Sequence, residues 1–260
     1  MLKILTTSWD DGDPKDLRVA EILHSRGLTG TFYVPLTGYR GAKTLCDADL
    51  KSLSRDFEIG AHSISHKTLR HLRSEELDRE VSLCKYKLQE IVGNEITMFC
   101  YPNGYYDRKV VAAVKRAGYA GARTCRMFSN GKNLSAFEMP TTIQAFAHSP
   151  VEYLRNIANG MDIPLLWRYI NELSRFRNWL ELGKHMFDRM LEQGGVWHLY
   201  GHSWELEQRQ LWRQLEEMLD YVAHREDVIY LTNGGVLPIV SRAGITAGNA
   251  RPIQGFRLYR

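Results

Sequence analysis

The chain has 260 residues, of which 44% are hydrophobic, so it can bury a full core as one α/β barrel or as two smaller domains. Its formal net charge is only +4, and its basic residues are scattered among acidic ones, which argues against a nucleic-acid partner. The four cysteines are widely spaced without a C-x-x-C pair, which argues against a zinc knuckle or a disulfide framework and favours free thiols in a reducing compartment.

The sequence shows no targeting or membrane segment. The N-terminus runs directly into a strand-like segment without a basic leader or a small-residue cleavage site, and no apolar stretch is long enough to cross a bilayer. We therefore predict a soluble, cytoplasmic protein without a transmembrane segment. No pattern in the sequence indicates an oligomeric state.

Short apolar runs alternate with helical periodicity along the chain. After a first strand at the N-terminus, the predicted strands are 30–35, 57–62, 96–102, 119–124, 195–202 and 227–232. The clearest predicted helices are 75–92, 107–117 and 207–225. Strands that alternate with helices imply βα units and a parallel sheet, and the number of units favours an α/β barrel of about seven parallel strands in a single domain.

The predicted barrel covers residues 1–238, and residues 239–260 form a C-terminal tail in which the periodicity is lost. A helical insertion interrupts the barrel near 150–192. We expect the Trp, Leu and Phe side chains of this insertion to pack in a core rather than to hold a cofactor.

Two adjacent carboxylates, Asp10 and Asp11, follow the first strand in the stretch "SWDDGDPKD". One interpretation is that they belong to an ordinary solvated turn that leads into the first helix. In this turn, Gly12 would allow a backbone conformation that other residues rarely adopt. However, two neighbouring carboxylates repel each other, and a nearby cation would relieve that repulsion.

Two histidines, His62 and His66, follow the third strand in the stretch "HSISH". Imidazoles four residues apart can bind one metal ion, and a carboxylate from a neighbouring strand would complete three protein ligands with positions left for water. The alternative is a pair of surface imidazoles on a turn. Because functional residues of a parallel barrel collect at the carboxyl ends of its strands, we favour a divalent metal as the cation beside the two aspartates.

Two further strand ends carry groups that could take part in a reaction. In "FCYPNGYYD", Pro102 and Gly104 form a turn whose amide groups could stabilise an oxyanion, although such turns are common. In "GVWHLYGHSWE", strand alternation puts His198 and His202 on one face, but only His202 lies at the end nearest the predicted site. We interpret His198 as a hydrogen-bonded residue of the barrel interior.

The ordered motifs "WDDG", "HSISH", "YPNG" and a histidine at a late strand end resemble those of the polysaccharide deacetylases of carbohydrate esterase family four. The likeness covers roughly residues 1–235 and implies a distorted (β/α) barrel. It also implies a metal-dependent hydrolase that removes an acetyl group from an N-acetylated sugar of a glycan or glycan precursor.

By this resemblance, Asp10 is the general base, while Asp11, His62 and His66 hold a divalent ion. That ion is most often zinc in the family, with Co²⁺, Mn²⁺ or Ni²⁺ as alternatives. Ser63 would steady the loop that carries the two histidines. These roles agree with general chemistry, because a metal acidifies its bound water and a neighbouring carboxylate can accept the proton.

The resemblance also implies roles outside the metal site. The backbone N–H of Asn103 would stabilise the oxyanion together with the metal, and His202 would protonate the leaving amine. Flat side chains with polar rims suit pyranose rings. The candidates for substrate contact near the motifs are Trp9, Tyr101, Pro102, Tyr105 and Trp204.

The sequence departs from the family pattern at three places. Cys100 stands where the family has an arginine that orients the base, and Arg123 is a candidate to replace it, although it could equally be a solvated or salt-bridged side chain. The expected aspartate-rich motif with a tryptophan is not evident, and Tyr200 replaces a leucine. Two alternatives follow: a hydrolase of another non-peptide amide or of an O-acetyl ester, or a catalytically degenerate barrel that binds glycan or metal.

Overall fold

The computed structural model of the protein describes residues 1–131, 134–160 and 162–242. The strands in these ranges are β1 (Lys3–Asp10), β2 (Thr31–Val34), β3 (Glu58–Ala61), β4 (Met98–Cys100), β5 (Gly121–Arg123), β6 (Ile143–Gln144), β7 (Gly195–Gly201) and β8 (Ile229–Tyr230). The α-helices are α1 (Asp16–His24), α2 (Asp47–Leu53), α3 (Ser74–Val92), α4 (Arg108–Arg116), α5 (Pro150–Asn159), α6 (Ile163–Asn171), α7 (Trp179–Gln193), α8 (Ser203–Gln208), α9 (Trp212–Val222) and α10 (Asn233–Arg242).

The strands form one curled parallel sheet in the order β5-β4-β3-β2-β1-β7-β6. On the edge of β1 away from β7, the carboxyl-terminal half pairs with β2 and the amino-terminal half pairs with β8. Met139 pairs with Arg123 of β5, and Ile143 pairs with Leu199 of β7, so one short segment contacts both edges of the sheet. The predicted single-domain, distorted (β/α) barrel is confirmed.

Side-chain alternation divides each strand between the barrel interior and the surrounding helices. In β1, Ile4 belongs to an inner cluster with residues of β2, β4 and β7, whereas Leu5 and Trp9 belong to the larger core under the helices. β1 is buried along nearly its whole length, as expected for a central parallel strand covered on both faces. Asp10 follows Trp9 and therefore turns into the interior.

The predicted strands and helices are largely confirmed, with two informative differences. β6 was missed because a two-residue strand has no readable period. The predicted helix 207–225 is instead two helices, because Gln210 adopts a left-handed φ of 55° between them. The backbone N–H of Leu211 donates to Leu206 O at 2.8 Å, which is a Schellman-type helix end built without the usual glycine.

The insertion near 150–192 is helical, as its periodicity indicates, and contains α5, α6 and α7. Trp179, Leu182 and Phe187 are buried as predicted, but the prediction was wrong for Trp167, which is 65% exposed on α6.

The tail predicted for 239–260 lies mostly outside the described residues, although α10 crosses its predicted start and reaches Arg242. Within the described ranges, no helix combines the length and the hydropathy that a bilayer crossing requires. The cytoplasmic location stays a prediction.

Candidate active site

Three predicted ligands converge at the carboxyl ends of β1 and β3. Asp11 Oδ1 lies 3.1 Å from His66 Nε2 and 3.6 Å from His62 Nε2. One donor atom from each of the three residues falls within 4.8 Å of the other two, and all three side chains are buried. This spacing allows one cation to contact all three side chains.

The backbone around these ligands is held in unusual conformations. Asp11, Ser63 and His66 have φ values of 78°, 66° and 54°, a left-handed region that side chains other than glycine rarely adopt. Ser63 Oγ accepts a hydrogen bond from the backbone N–H of His66 at 3.0 Å, so the predicted steadying contact is present in the structure. Strain of this kind persists where surrounding contacts enforce it, and it is common at functional sites.

The buried carboxylate of Glu80 on α3 fixes the same loop from behind. It accepts hydrogen bonds from the backbone N–H groups of Ile64 at 2.9 Å and Ser65 at 3.0 Å, and from Ser65 Oγ at 2.6 Å. The histidine loop is therefore anchored to a helix, which limits the freedom of the two imidazoles.

The protonation states of His62 and Asp11 leave each side chain with a lone pair that can bind a cation. His62 Nδ1–H donates to the carbonyl of Cys100 at 2.8 Å, which leaves Nε2 free to act as a ligand. Burial and the neighbouring His66 lower the pKa of His62 to about 4, so the ring is neutral. Burial opposes ionisation of Asp11, but its contacts with His66, His202 and His62 outweigh that effect and hold its pKa well below the usual range.

The unsatisfied atoms of the site also fit a metal ion. Asp11 Oδ2 accepts a hydrogen bond from Trp204 Nε1 at 2.9 Å, whereas Asp11 Oδ1 has no hydrogen-bond partner among the described residues. His66 Nδ1 likewise lacks a partner within that part of the chain. A buried carboxylate oxygen facing two imidazole nitrogens suits a divalent cation such as zinc.

A second group of donors, Asp10, His62 and Cys100, is equally compact but suits a metal less well. Burial raises the pKa of the Cys100 thiol well above its usual value, so it offers no thiolate. The thiol instead lies 3.8 Å from Asp10 Oδ2. We therefore assign Cys100 a packing role, and its reactivity as a nucleophile is disfavoured for the same reason.

Asp10 lies beside Asp11, His62 and His66, the candidate metal-ligand group, and is paired with Arg123. The Arg123 guanidinium donates to Asp10 Oδ1, and His202 Nε2 lies 3.9 Å from Asp10 Oδ2. Burial opposes ionisation of Asp10, but its interactions with Arg123, first of all, and with the neighbouring His62 and His202 outweigh it and hold its pKa below the ordinary value. Asp10 is thus a buried carboxylate that remains ionised at neutral pH.

The position of Arg123 follows from strand register. Arg123 on β5 pairs directly with Cys100 on β4, so both side chains enter the barrel at the same level. The guanidinium is fully buried between the rings of Tyr33 and Tyr200, at 5.3 Å and 4.8 Å from their centroids. These rings stabilise the cation and fix its direction toward Asp10.

His202 lies near both aspartates, with its Nε2 on the side of Asp10 Oδ2. His202 Nδ1–H donates to Glu205 Oε2 at 2.6 Å, and Gln144 Nε2 donates to the same oxygen at 2.8 Å. Burial disfavours the charged ring, but Glu205, Asp11 and Asp10 outweigh it and raise the pKa of His202 to about 10. The imidazole is therefore a cation at neutral pH, able to give up a proton from Nε2.

These groups line one cavity of about 450 Å³. The wall shared with the metal-ligand group includes Asp10, Asn103 and Trp204. Residues of β6, of α5 and of the loop between them also line the cavity, namely Gln144, Phe146, His148, Glu152 and Asn156. A volume of this size accommodates a substrate unit rather than only an ion and water.

Comparison with known proteins shows similarity in both sequence and fold. Residues 3–122 match the family model described as polysaccharide deacetylase, a range that includes Asp10, Asp11, His62 and His66. This part of the chain, just under half of its length, is therefore similar to the polysaccharide deacetylase family. No curated protein matches the sequence. The matched range ends one residue before Arg123, and His202 lies well beyond it.

Solved structures of this deacetylase fold resemble the whole chain. A protein from Mycobacterium smegmatis that carries the family's name superposes with a TM-score of 0.68 at 17% identity, covering 98% of this chain and 96% of that one. The Xyl-CE4 domain of a multidomain xylanase from the hindgut metagenome of Trinervitermes trinervoides gives 0.55 at 11% identity, with coverages of 100% and 97%. A family 4 carbohydrate esterase from Streptomyces lividans, solved with acetate, gives 0.52 at 11% identity, with coverages of 87% and 90%. At these identities the likeness shows the fold alone.

Of the side chains predicted to contact substrate, Trp204 lines the cavity, whereas the other four do not. Trp9 is fully buried in the core under the helices, because it precedes Asp10 in β1 and turns to the other face of the sheet. Tyr101 follows Cys100 and is directed outward for the same reason, where its ring stacks on Tyr106 with centroids 4.7 Å apart.

The other two corrections concern the turn after β4. Pro102 is buried, and the ring of Tyr105 lies under the Arg70 guanidinium at 4.9 Å. Asn103 does reach the cavity, with a left-handed φ of 57°. This turn therefore contributes Asn103 to the site rather than aromatic surface.

His198 is buried in the barrel interior below the site. Its Nε2 lies 2.8 Å from Ser8 Oγ, and its Nδ1 lies 3.2 Å from the carbonyl oxygen of Pro140. Burial and the charge of Arg123 lower its pKa to about 3, so it is neutral. His198 does not line the cavity and cannot serve as an acid there.

Several residues of the site escaped the sequence analysis. Glu205 carries one readable signal, since it lies three residues after His202 at the start of a helix. Gln144, Tyr39 and Glu80 carry none, because each reaches the site from a segment without a motif. The Tyr39 ring lies 4.7 Å from the His66 ring and stacks on Trp204 with centroids 6.4 Å apart.

Proposed function

We propose that this protein is a metal-dependent hydrolase that removes the acetyl group from an N-acetylated sugar of a glycan or glycan precursor. The observation that supports this most directly is the convergence of Asp11, His62 and His66 in one cavity with an ionised Asp10 and a protonated His202. The family match supports the same reaction class.

Asp11, His62 and His66 would hold a divalent ion, with zinc the first candidate and cobalt, manganese or nickel as alternatives. When bound, such an ion acidifies a coordinated water and polarises the acyl carbonyl. Trp204 orients the Asp11 carboxylate through its hydrogen bond, and the carbonyl of Cys100 orients His62. Contacts of this kind fix the direction of ligands before the ion arrives.

Asp10 is the proposed general base. It is ionised, buried and adjacent to the ligand group, while its own charge is balanced by Arg123 rather than by the ion. It can therefore accept the proton that the attacking water loses as its oxygen bonds to the acyl carbon. Arg123 holds Asp10 Oδ1, which leaves Oδ2 directed toward Cys100 and His202.

His202 is the proposed general acid. Breaking the carbon–nitrogen bond releases acetate and leaves electron density on the sugar nitrogen, which must gain a proton to leave as an amine. The raised pKa of His202 keeps that proton available, and Glu205 fixes the ring by holding Nδ1. The backbone N–H of Asn103 is the proposed donor to the developing oxyanion, supported by the position of Asn103 in the cavity wall.

The enzyme is favoured over a degenerate binding barrel because the main sequence departure is compensated. Cys100 lacks the expected guanidinium, but Arg123 supplies one from the adjoining strand, directed at the same carboxylate. The charged groups required for both proton transfers are therefore present in one cavity.

Acetate release from a panel of N-acetylated hexosamine oligomers, with and without added zinc or cobalt, tests the proposal. We expect metal-dependent release, abolished in Asp10→Asn with metal content retained. Asp13→Asn is the matched control, because Asp13 is a neighbouring carboxylate that accepts a hydrogen bond from the backbone N–H of Lys15 and does not line the cavity. Metal-loaded protein that releases acetate only from O-acetyl esters, or from no substrate, would overturn the assignment.

A further inference from the structure

The helical insertion carries an exposed apolar row on α6. Ile163, Trp167 and Ile170 follow one another at i, i+4 and i+7, and are 67%, 65% and 56% exposed. Together with Val151 of α5, they account for four of the seven large hydrophobic side chains that are exposed among the described residues. Isolated exposed hydrophobic side chains are ordinary, whereas a clustered row indicates an interaction surface.

The opposite side of α6 is firmly packed, so the row is not a loosely held core face. Tyr169 is buried, and its ring lies 6.1 Å from that of Tyr153 on α5. Asp162 caps the helix by accepting a hydrogen bond from the backbone N–H of Leu165 at 2.9 Å. The fold therefore fixes α6 with the row directed outward.

The exposed charges near the row in sequence are mostly basic. Among the described residues between 150 and 181, the exposed charged side chains are Arg155, Arg175, Arg177 and Glu181. The other carboxylates of this range are only partly exposed, and Glu172, for example, holds His185 at 2.6 Å and Arg189 at 2.5 Å. A short apolar row with tryptophan and a basic rim has the composition of an interfacial helix.

We propose that the α6 row, Ile163, Trp167 and Ile170, docks this protein on the surface of an anionic lipid bilayer. The row inserts at the level of the headgroups while the arginines contact lipid phosphates. A second copy of the chain fits less well, because each partner of a stable dimer buries about 800 Å² and three side chains do not supply that area.

Docking through the α6 row would bring the bilayer close to the active-site cavity. Glu152 and Asn156 on α5 line the active-site cavity, and α5 packs directly against α6. The bilayer would thus lie next to one wall of the site. If the proposed deacetylation is correct, a glycan attached to a lipid is the substrate that this arrangement favours.

Co-sedimentation with vesicles tests the docking without any substrate, so its outcome is independent of the proposed reaction. We expect wild type to sediment with phosphatidylglycerol vesicles more than with phosphatidylcholine vesicles, and less so at high salt. The double variant Ile163→Ser with Trp167→Ser should lose binding. Tyr86→Ser is the matched control, because Tyr86 is a 58% exposed aromatic residue on α3, outside the insertion.

Arg175→Gln and Arg177→Gln should each weaken binding to the anionic vesicles about fivefold.

Quenching of tryptophan fluorescence by brominated lipid supplies a measurement that does not depend on a disruptive variant. The quenching should be strong in wild type and much reduced in the conservative variant Trp167→Phe. Equal sedimentation of wild type and the double variant, or absence of binding to both lipids, would overturn the proposal. So would a concentration-dependent dimer that the double variant abolishes, since the row would then bind a second copy.

Discussion

Arg123 and Asp10 are 113 residues apart in sequence, yet the guanidinium of one donates to the carboxylate of the other in the barrel interior. The contact exists because β4 pairs with β5 in a register that puts Cys100 opposite Arg123. Arg123 can therefore reach the same carboxylate that a long side chain at position 100 would reach. Cys100 leaves the space that the guanidinium occupies. The pairing of Arg123 with Asp10 explains how this chain keeps an oriented, ionised carboxylate although Cys100, rather than an arginine, precedes the "YPNG" motif.

Replacing Arg123 should impair catalysis more than metal binding. We expect Arg123→Ala to lower kcat by about 100-fold while the metal content measured by mass spectrometry stays near that of wild type. Without the guanidinium, burial raises the pKa of Asp10, so the acidic limb of the kcat/KM profile should move to higher pH. Equal loss of metal and turnover would reject a positioning role.

Arg123→Ala also leaves Asp10 buried without its partner, which is expected to cost about 3–5 kcal/mol of folding stability. The exchange of Cys100→Arg with Arg123→Cys controls for this, because it returns a guanidinium to the same level of the barrel. We expect it to recover part of kcat and of the lost thermal stability. An exchanged protein that folds but is no better than Arg123→Ala would contradict the argument.

Removing one proposed metal ligand should remove the ion. We expect His66→Ala and Asp11→Ala to lose most of the divalent metal that wild type retains after dialysis, together with activity. His202→Gln is the informative comparison, since it should keep its metal while kcat falls. Retention of stoichiometric metal by His66→Ala would place the ion elsewhere.

Trp204 should influence metal affinity through its hydrogen bond to Asp11. Trp204→Phe keeps a ring in the cavity wall but loses the donor to Asp11 Oδ2. Loss of such an outer contact is expected to weaken metal binding about 10- to 100-fold, which competition with a fluorescent chelator would measure. Trp167→Phe, on the exposed row, should leave the affinity unchanged.

Glu205 should set the alkaline limit of activity. In wild type its carboxylate helps to raise the pKa of His202 to about 10, so the acid stays protonated through neutral and mildly alkaline pH. In Glu205→Gln burial dominates and the pKa of His202 falls. The alkaline limb of the kcat profile should therefore move to lower pH, with a larger loss of turnover in alkaline than in mildly acidic buffer. An unchanged alkaline limb would mean that His202 is not the titrating acid.

Gln210 offers a test of the fold that does not involve the site. It adopts a left-handed φ of 55° between α8 and α9, which is unfavourable for a residue with a Cβ atom. Gln210→Gly should raise the free energy of unfolding by about 0.5–1 kcal/mol in urea titration. Gln210→Ala keeps the Cβ atom and should give no such gain. A continuous helix through this region would reverse the order of the two variants.

The larger part of the fold could be predicted from local pattern. Strands such as β1 and β7 are buried runs bounded by turns, and α3 and α4 have clear amphipathic periods. β6 could not be predicted, because two residues carry no period, and the break at Gln210 could not, because the usual glycine is absent. The exposure of Trp167 was missed because a tryptophan at helical spacing ordinarily indicates a core position.

The sequence by itself determined which chemical groups stand at the strand ends, since motif spacing fixed Asp10, Asp11, His62 and His66 as neighbours of the barrel mouth. Strand alternation puts Trp9 and Asp10 on opposite faces of β1, although Trp9 was predicted to contact substrate. Only the tertiary structure decided that Arg123 reaches Asp10 and that Gln144 joins Glu205 around His202. The physical reason is that such contacts depend on strand register and barrel closure, which bring together segments whose separation along the chain carries no pattern.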